Sequence, residues 1–337
     1  MRTVMRRTIK KTTLRALRST GAFAASAASS RRRDGLLILC YHGISLRDEQ
    51  AWEPTLYLSA AHFRQRLEAL RSTRIEVLPL DEGLSRLHAG TLPPRAAVIT
   101  FDDGFYDFYK LALPMLQEFA FPATLYLTTH YCDFRLPIFN LMVPYLLWKS
   151  GRTKMVWEET GLPPMPLGTY SERLGVTQAL IQFADKRQLD TRGKDDLARR
   201  LAVHLGIDYD DLLQARLFQL VTPEEAALVS RSGVDIQLHT HRHRTPRDQA
   251  LFTREIRDNR DRIREFTGQE AVHFCYPSGD YAPEFFPWLR ELGVKSATTC
   301  EKGLASRHSE PLLLPRLLDD DQVTPVEFES WLCGILL

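Results

Sequence analysis

The sequence predicts an α/β chain built on a parallel sheet and interrupted by a mostly helical insertion. Three observations predict it. Short apolar runs that read as buried strands alternate with amphipathic helical patterns. Two of those runs end in clusters of polar side chains, Thr100-Phe101-Asp102-Asp103-Gly104 and His239-Thr240-His241-Arg242-His243. The rhythm then stops between Cys132 and Val221, where about ninety residues carry helical periodicities, too many for a structureless loop.

In chain order, Leu36 to Tyr41 (LLILCY) is an apolar run closed by His42-Gly43, a first strand and a turn. Ser59 caps a helix in which Phe63, Leu67 and Leu70 fall at i, i+4 and i+7. Ile75 to Leu78 predicts a short strand, and Asp81 caps a helix carrying Leu84 and Leu87. The loop at Pro93-Pro94 precedes the strand Ala96 to Phe101. The helical pattern from Phe105 to Phe119 contains Pro114, which predicts a kink or a fresh start there. Phe121 to Thr128 is the next strand.

The insertion, residues 133–221, holds helical patterns at Ile138 to Trp148, Ser171 to Ala184 and Lys194 to Leu205, with a Gly/Pro-rich linker from Gly161 to Gly168. Its apolar stripes read as core. The strand–helix order resumes at Thr222-Pro223-Glu224-Glu225, a helix start with Pro at its first position and acids in its first turn. Strands follow at Val234 to Leu238, Ala271 to Tyr276, Val294 to Thr299 and Leu312 to Leu317. Helices fall at Arg247 to Phe266, Pro283 to Leu292 and Thr324 to Leu336. Seven or eight strands joined by helices predict parallel pairing with right-handed crossovers.

The chain has 337 residues, 44% hydrophobic and 26% charged, which is ordinary globular composition. Its net charge of +2 hides an asymmetry. Residues 1–33 hold ten Lys/Arg and no acid, which leaves 34 basic against 42 acidic side chains, a balance of −8, in the rest. An acidic body argues against nucleic acid as a partner. The basic segment reads three ways: a helix on an anionic membrane surface, a disordered tail, or a targeting sequence whose small-residue stretch, Gly21 to Ala28, is short for a signal core. Five cysteines, an odd number without a CxxC, fit buried thiols better than a disulfide framework. They favour a cytoplasmic location, at the inner membrane surface if the basic segment binds lipid, and leave secretion open.

Two adjacent carboxylates at a strand end are costly to bury unless a cation or proton joins them. For a DDG on its own, the plain alternative is a helix cap. Two imidazoles four residues apart at a second strand end add the rest of a common zinc ligand set and leave a coordination position open. Together TFDDG and HTxxH resemble the polysaccharide deacetylase family, the NodB-homology domain of carbohydrate esterase family 4, over roughly residues 36–134 and 222–320.

That resemblance implies a distorted (β/α) barrel of seven or eight strands; the insertion, outside the resemblance, reads as lying over its mouth, where it could shape the substrate groove. It implies that Asp103, His239 and His243 hold a divalent metal, Zn2+ first with Co2+ or Ni2+ as alternatives, and that Asp102 is the general base. Thr240 is expected to orient a ligand or bind product, and Tyr276 and Pro277 to touch substrate. His241, between the two ligand histidines, is expected to point elsewhere.

The sequence departs from the family in two places. An arginine that pairs with the base is replaced by Cys275 in Phe274-Cys275-Tyr276-Pro277-Ser278-Gly279, where the Ser278 N–H can still serve an oxyanion. Arg316, at the end of the last strand, is the candidate to replace it. A late histidine acting as general acid is also missing, and His42 and His308 are the candidates for that role. The activity expected is removal of an N-acetyl group from an amino sugar of a polysaccharide or lipid-linked glycan. The alternatives are an O-acetyl esterase or small-molecule amidase on the same scaffold, and a glycan-binding relic without catalysis. Contact with a membrane would run through residues 1–33.

Overall fold

In the computed structural model, which describes residues 2–336, seven strands close into a parallel barrel. They are β1 (Leu37–Tyr41), β2 (Ala97–Phe101), β3 (Thr124–Leu127), β4 (Asp235–Leu238), β5 (His273–Cys275), β6 (Ser296–Lys302) and β7 (Leu314–Leu318). Each pairs with the next in chain order, and β7 returns to β1 through Leu39 opposite Leu317 and Cys40 opposite Leu318. The expected strand at Ile75 to Leu78 reduces to one bridge, Val77 to Ala97, so no eighth strand forms there. The bulge between β6 and β7, after Thr298, lets the short final strand reach β1.

Strand periodicity sorts the side chains. Leu37, Leu39 and Tyr41 pack outward into the core shared with the helices, whereas Ile38, Val98, Tyr126, Cys275 and Leu314 face the barrel interior. The interior is therefore filled, with Thr124, Gln237, His273 and Ser296 buried towards its N-terminal end and Asp102, His239 and Arg316 gathered at its C-terminal end. Pro114 opens the helix Leu113–Phe119, and the turn before it, Phe108–Ala112, widens into a π-helix.

The insertion has its own core. Helix Phe139–Lys149 packs Met142, Tyr145 and Leu146 against Val176 and Leu180 of Tyr170–Lys186 and against Leu197 and Leu201 of Thr191–Leu205. Its end is tied to the chain just past the DDG. Tyr106 N–H donates to Gln219 O (2.8 Å), Val221 N–H to Gly104 O (2.9 Å), and Phe105 bridges Leu220. Thr222 and Glu225 then form a capping box on helix Pro223–Arg231.

Residues 2–33 are helical, in three segments at Arg2–Ser19, Ala22–Ala27 and Ser30–Arg33. They are docked rather than trailing. Leu14 and Phe23 are buried against Val326 and Cys333 of the last helical region, Lys10 pairs with Glu327, and Arg18 pairs with Glu329 at 3.2 Å. The buried Arg32 donates to the carbonyls of Leu332, Gly35 and Ala96. The closing helix is shorter than its pattern, Pro325–Leu332, because Gly334 adopts φ 83°.

Replacing Thr222 with alanine removes the N-cap of helix Pro223–Arg231, where the insertion rejoins the barrel. Stability should fall by about 1 kcal/mol, read as a lower denaturant midpoint with an unchanged slope.

Candidate metal and catalytic site

At the C-terminal rim, β2 ends in Asp102 and the chain turns at once. Asp103 adopts φ 70° and Gly104 φ 89°. An added Cβ at Gly104 would stand 2.2 Å from Leu127 Cδ1, so only glycine fits the turn. The left-handed residue sends the two consecutive carboxylates to different neighbours.

Asp103 Oδ1 lies 3.2 Å from His239 Nε2 and 3.2 Å from His243 Nε2, and this oxygen is buried with no hydrogen-bond partner. The three ligand atoms converge within 4.8 Å of one another. An orphaned buried carboxylate oxygen facing two imidazole nitrogens is what a divalent ion requires, and the donor set fits. His239 is fixed from behind, its Nδ1 2.9 Å from Cys275 O, which leaves Nε2 as the nitrogen free to take a metal. His243 reaches the same point through a backbone at φ 54°. Burial raises the Asp103 carboxyl, but His243 and His239 outweigh it and hold it well below its ordinary value.

Asp102 faces the barrel wall. Arg316 grips it with both prongs, Nη1 to Oδ1 and Nη2 to Oδ2 at 2.7 Å each, and both side chains are buried. Arg316 Nε also donates to Thr299 O (3.0 Å) and Nη1 to Thr100 Oγ1 (3.3 Å). The thiol of Cys275 stands 3.3 Å and that of Cys40 3.6 Å from Asp102 Oδ2. Burial alone would raise the Asp102 carboxyl, yet the charge and hydrogen bonds of Arg316 hold it far below the usual range. Asp102 is therefore ionised at neutral pH. On the open side His42 Nε2 approaches Asp102 Oδ2 at 3.7 Å.

The cleft over these groups measures about 340 Å³, and its lining includes His42, Asp102, Asp103, His239, His243, Tyr276 and Ser278. Ser278 turns at φ 56°. Tyr276 keeps its hydroxyl on Leu312 O (3.1 Å), away from substrate chemistry.

Three expected residues stand elsewhere, and His241 points away from the site as expected. Thr240 is fully buried at φ 60° and its hydroxyl accepts from Arg244 N–H, so it shapes the histidine loop rather than touching substrate or product. Pro277 is buried behind the cleft wall. His308 lines another cavity with Gly35 and Ala305, at the opposite end of β1 from His42, because the segment before β7 has already returned to that face. It is no candidate for the acid. His241 points to Thr129 Oγ1 (2.9 Å), and burial followed by the charge of Arg242 pushes it down to about 4.

Residues 89–146 and 194–297 match the family model for polysaccharide deacetylases. The chain belongs to the polysaccharide deacetylase family. The gap between them, 147–193, lies inside the insertion, so the family pattern reaches further into it than the motifs alone imply, while His42 and Arg316 lie outside the matched residues. Over 92 residues this family member is 29% identical to the poly-beta-1,6-N-acetyl-D-glucosamine N-deacetylase of Escherichia coli (strain K12), which covers 27% of this chain and 13% of that protein. The deacetylase PplD of Streptococcus pyogenes, solved with acetate, matches with a TM-score of 0.59 at 18% identity, over 90% of this chain and 99% of that one. IcaB from Ammonifex degensii matches at 0.57 and 18%, over 90% and 98%. At such identities the likeness is one of fold, the NodB-type barrel.

This deacetylase-family site also rests on residues that no motif marks. Asn259, fully buried on helix Gln249–Thr267, accepts from His239 N–H (2.9 Å) and donates to Leu127 O (2.9 Å) and Thr129 Oγ1 (3.0 Å). Glu255, one turn earlier, accepts from Arg242 N–H (2.8 Å) and Arg244 Nε (2.7 Å). The signal was present: two polar residues stand in the apolar stripe Phe252, Ile256, Ile263.

In Arg316→Met the largest influence opposing burial is gone and only His42 and His239 still lower the Asp102 carboxyl, which therefore titrates higher than in wild type. The acid limb of kcat/KM should move to higher pH, so activity is lost earlier as pH falls. Unfolding free energy should drop by about 3–5 kcal/mol. An unmoved limb in a pH–rate profile contradicts the pairing.

Proposed function

We propose that this chain is a metal-dependent hydrolase that removes the N-acetyl group from an acetamido sugar of a glycan. The observation that carries the reading is the convergence of Asp103, His239 and His243 beside a second, ionised carboxylate that the ligand set does not use. The Escherichia coli relative, named as an N-deacetylase of a poly-N-acetylglucosamine, and the acetate in the PplD structure support it.

A divalent ion held by Asp103, His239 and His243, with Zn2+ proposed and Co2+ or Ni2+ suited to the same donors, would lower the pKa of a coordinated water and polarise the acetyl carbonyl. Asp102, kept ionised by Arg316, takes the proton from the attacking water. The Ser278 N–H donates to the carbonyl oxygen as that oxygen gains charge. His42, on the cleft wall beside Asp102, delivers a proton to the departing nitrogen. One water is consumed, the C–N bond breaks, and acetate and a free amine leave.

An O-acetyl esterase or small-molecule amidase would use the same groups. An alkoxide leaves with less help than an amine, so the demand on His42 separates amide from ester. Arg316 supplies the arginine partner that the family pattern carries where this chain has Cys275, which counts against a binding relic.

Acetate release from chitooligosaccharides should be abolished by a chelator and restored by Zn2+. Asp102→Asn should lower kcat by about 10²–10⁴-fold. His42→Gln should slow the amide substrate more than an O-acetyl sugar; equal losses on both would remove His42 from the acid role.

The exposed basic ridge Arg7, Lys11 and Arg15 (i, i+4, i+8) supports a further proposal, contact with an anionic membrane surface on the cytoplasmic side. Because Leu14 is occupied against Val326 and Cys333, contact would be electrostatic and not inserted. Co-sedimentation with phosphatidylserine vesicles should disappear at about 0.5 M salt and in Lys11→Glu/Arg15→Glu; binding unaffected by either removes the proposal.

A further inference from the structure

The cleft is chemically two-sided. One side holds the ionisable groups already described. The opposite side is formed by Leu56, Phe105, Ile138, Leu141 and Leu220, aliphatic and aromatic carbon throughout. Thr128, Tyr131, Asn140, Arg242 and Cys300 also line the cleft, and Arg242 is committed to Glu255 and Asp258.

This wall is built, not incidental. Leu56 comes from the loop after β1, held where Gly43–Ile44 pairs with Tyr57–Leu58. Ile138 and Leu141 open the insertion, and Ile138 N–H donates to Phe218 O (2.8 Å). Leu220 closes the insertion and bridges Phe105, two residues past Asp103. The insertion thus begins and ends on the wall, with its own helical core behind. Leu56, Ile138 and Leu141 are each only half-buried, so their carbon surface is open to the cleft.

A groove for the interior of a water-soluble sugar polymer must give partners to the hydroxyls that lose water, while apolar side chains serve only the C–H faces of its sugars. Leu56, Ile138 and Leu141, with the almost fully buried Phe105 and Leu220 behind them, offer such hydroxyls no partner. They would instead gain free energy from covering carbon. At about 340 Å³ the cleft also lies at the small end of the range for ligand sites.

We propose that the substrate is an acetamido sugar carrying an apolar aglycone, a glycolipid-type glycan, with the aglycone seated against Leu56, Ile138, Leu141 and Leu220. This inference rests on the deacetylase reading and names the substrate class for it. The sugar presents its acetamido group to Asp103, His239 and His243, and the insertion supplies the selectivity.

The test compares octyl and methyl β-glycosides of N-acetylglucosamine, below the octyl compound's micelle concentration, with the Zn2+-loaded full chain. Two buried methylenes already account for about tenfold, so wild type should favour the octyl compound in kcat/KM by at least about tenfold. Leu141→Asn and Leu56→Asn, on separate elements, should each pull the octyl-to-methyl ratio towards one. A wild-type ratio near one, or a ratio unchanged in both variants, overturns the proposal. Acetate from neither glycoside would overturn the deacetylase reading instead. Calorimetric binding of the octyl glycoside then decides the wall: about tenfold weaker binding in the variants supports it, and equal binding overturns it.

Discussion

Arg316 and Asp102 form the contact on which the site and the barrel both depend. Arg316 lies on β7 and Asp102 at the end of β2, the two strands flanking β1, so their doubly hydrogen-bonded pair spans the seam where the sheet closes. Neither charge is tolerable alone in a buried setting, and losing one strands the other at a cost of about 3–5 kcal/mol. The side chains around the pair are small or neutral. Cys40 and Cys275 leave room for the guanidinium and turn thiols towards Asp102, and Tyr126 lies beneath Arg316 at 5.8 Å. Burial pushes both thiols well above their ordinary pKa, so they stay protonated and add no competing charge.

The pair also separates the roles of two adjacent carboxylates. Asp102 continues the strand and meets a fixed cation. Asp103 enters the left-handed region, and its oxygen is left without a hydrogen bond between two imidazoles. Such a backbone costs on the order of 1 kcal/mol or more, and neighbouring bonds hold it. Thr128 N–H donates to Asp103 O (3.1 Å), Asp102 N–H to Tyr41 O (2.9 Å), and Val221 N–H to Gly104 O (2.9 Å). Three segments far apart in sequence therefore converge on one turn, and one of them is the end of the insertion. The same arrangement that fixes the acids fixes the apolar wall opposite them.

The parts legible in the sequence are those in which chemistry and local pattern coincide. Asp102, Asp103, His239 and His243 sit at the ends of apolar runs, where a parallel sheet delivers its side chains to one rim. Arg316 was legible through topology, because closing the barrel places the last strand beside the first. His308 was misread for the complementary reason: the chain before a parallel strand has already crossed to the other rim. Thr240 was expected to orient a ligand or bind product because it stands beside the ligand histidines, yet it is buried on a left-handed backbone. Asn259 and Glu255 were hidden because a helix shows its inward face only by periodicity, and a polar residue in an apolar stripe reads first as noise. Ile75 to Leu78 had strand composition, but a run of four residues cannot say whether a partner strand has room for it.

The central claim is that Asp103, His239 and His243 hold one metal ion while Asp102, next in the chain, holds none. Metal content by mass spectrometry after purification in Zn2+ and exhaustive dialysis tests it most directly, on wild type, Asp102→Asn and Asp103→Asn. The account predicts close to one equivalent in the first two proteins and almost none in the third, with all three folded by circular dichroism. A metal-free wild type, or loss of the ion in Asp102→Asn while Asp103→Asn retains it, would contradict the assignment of the two carboxylates.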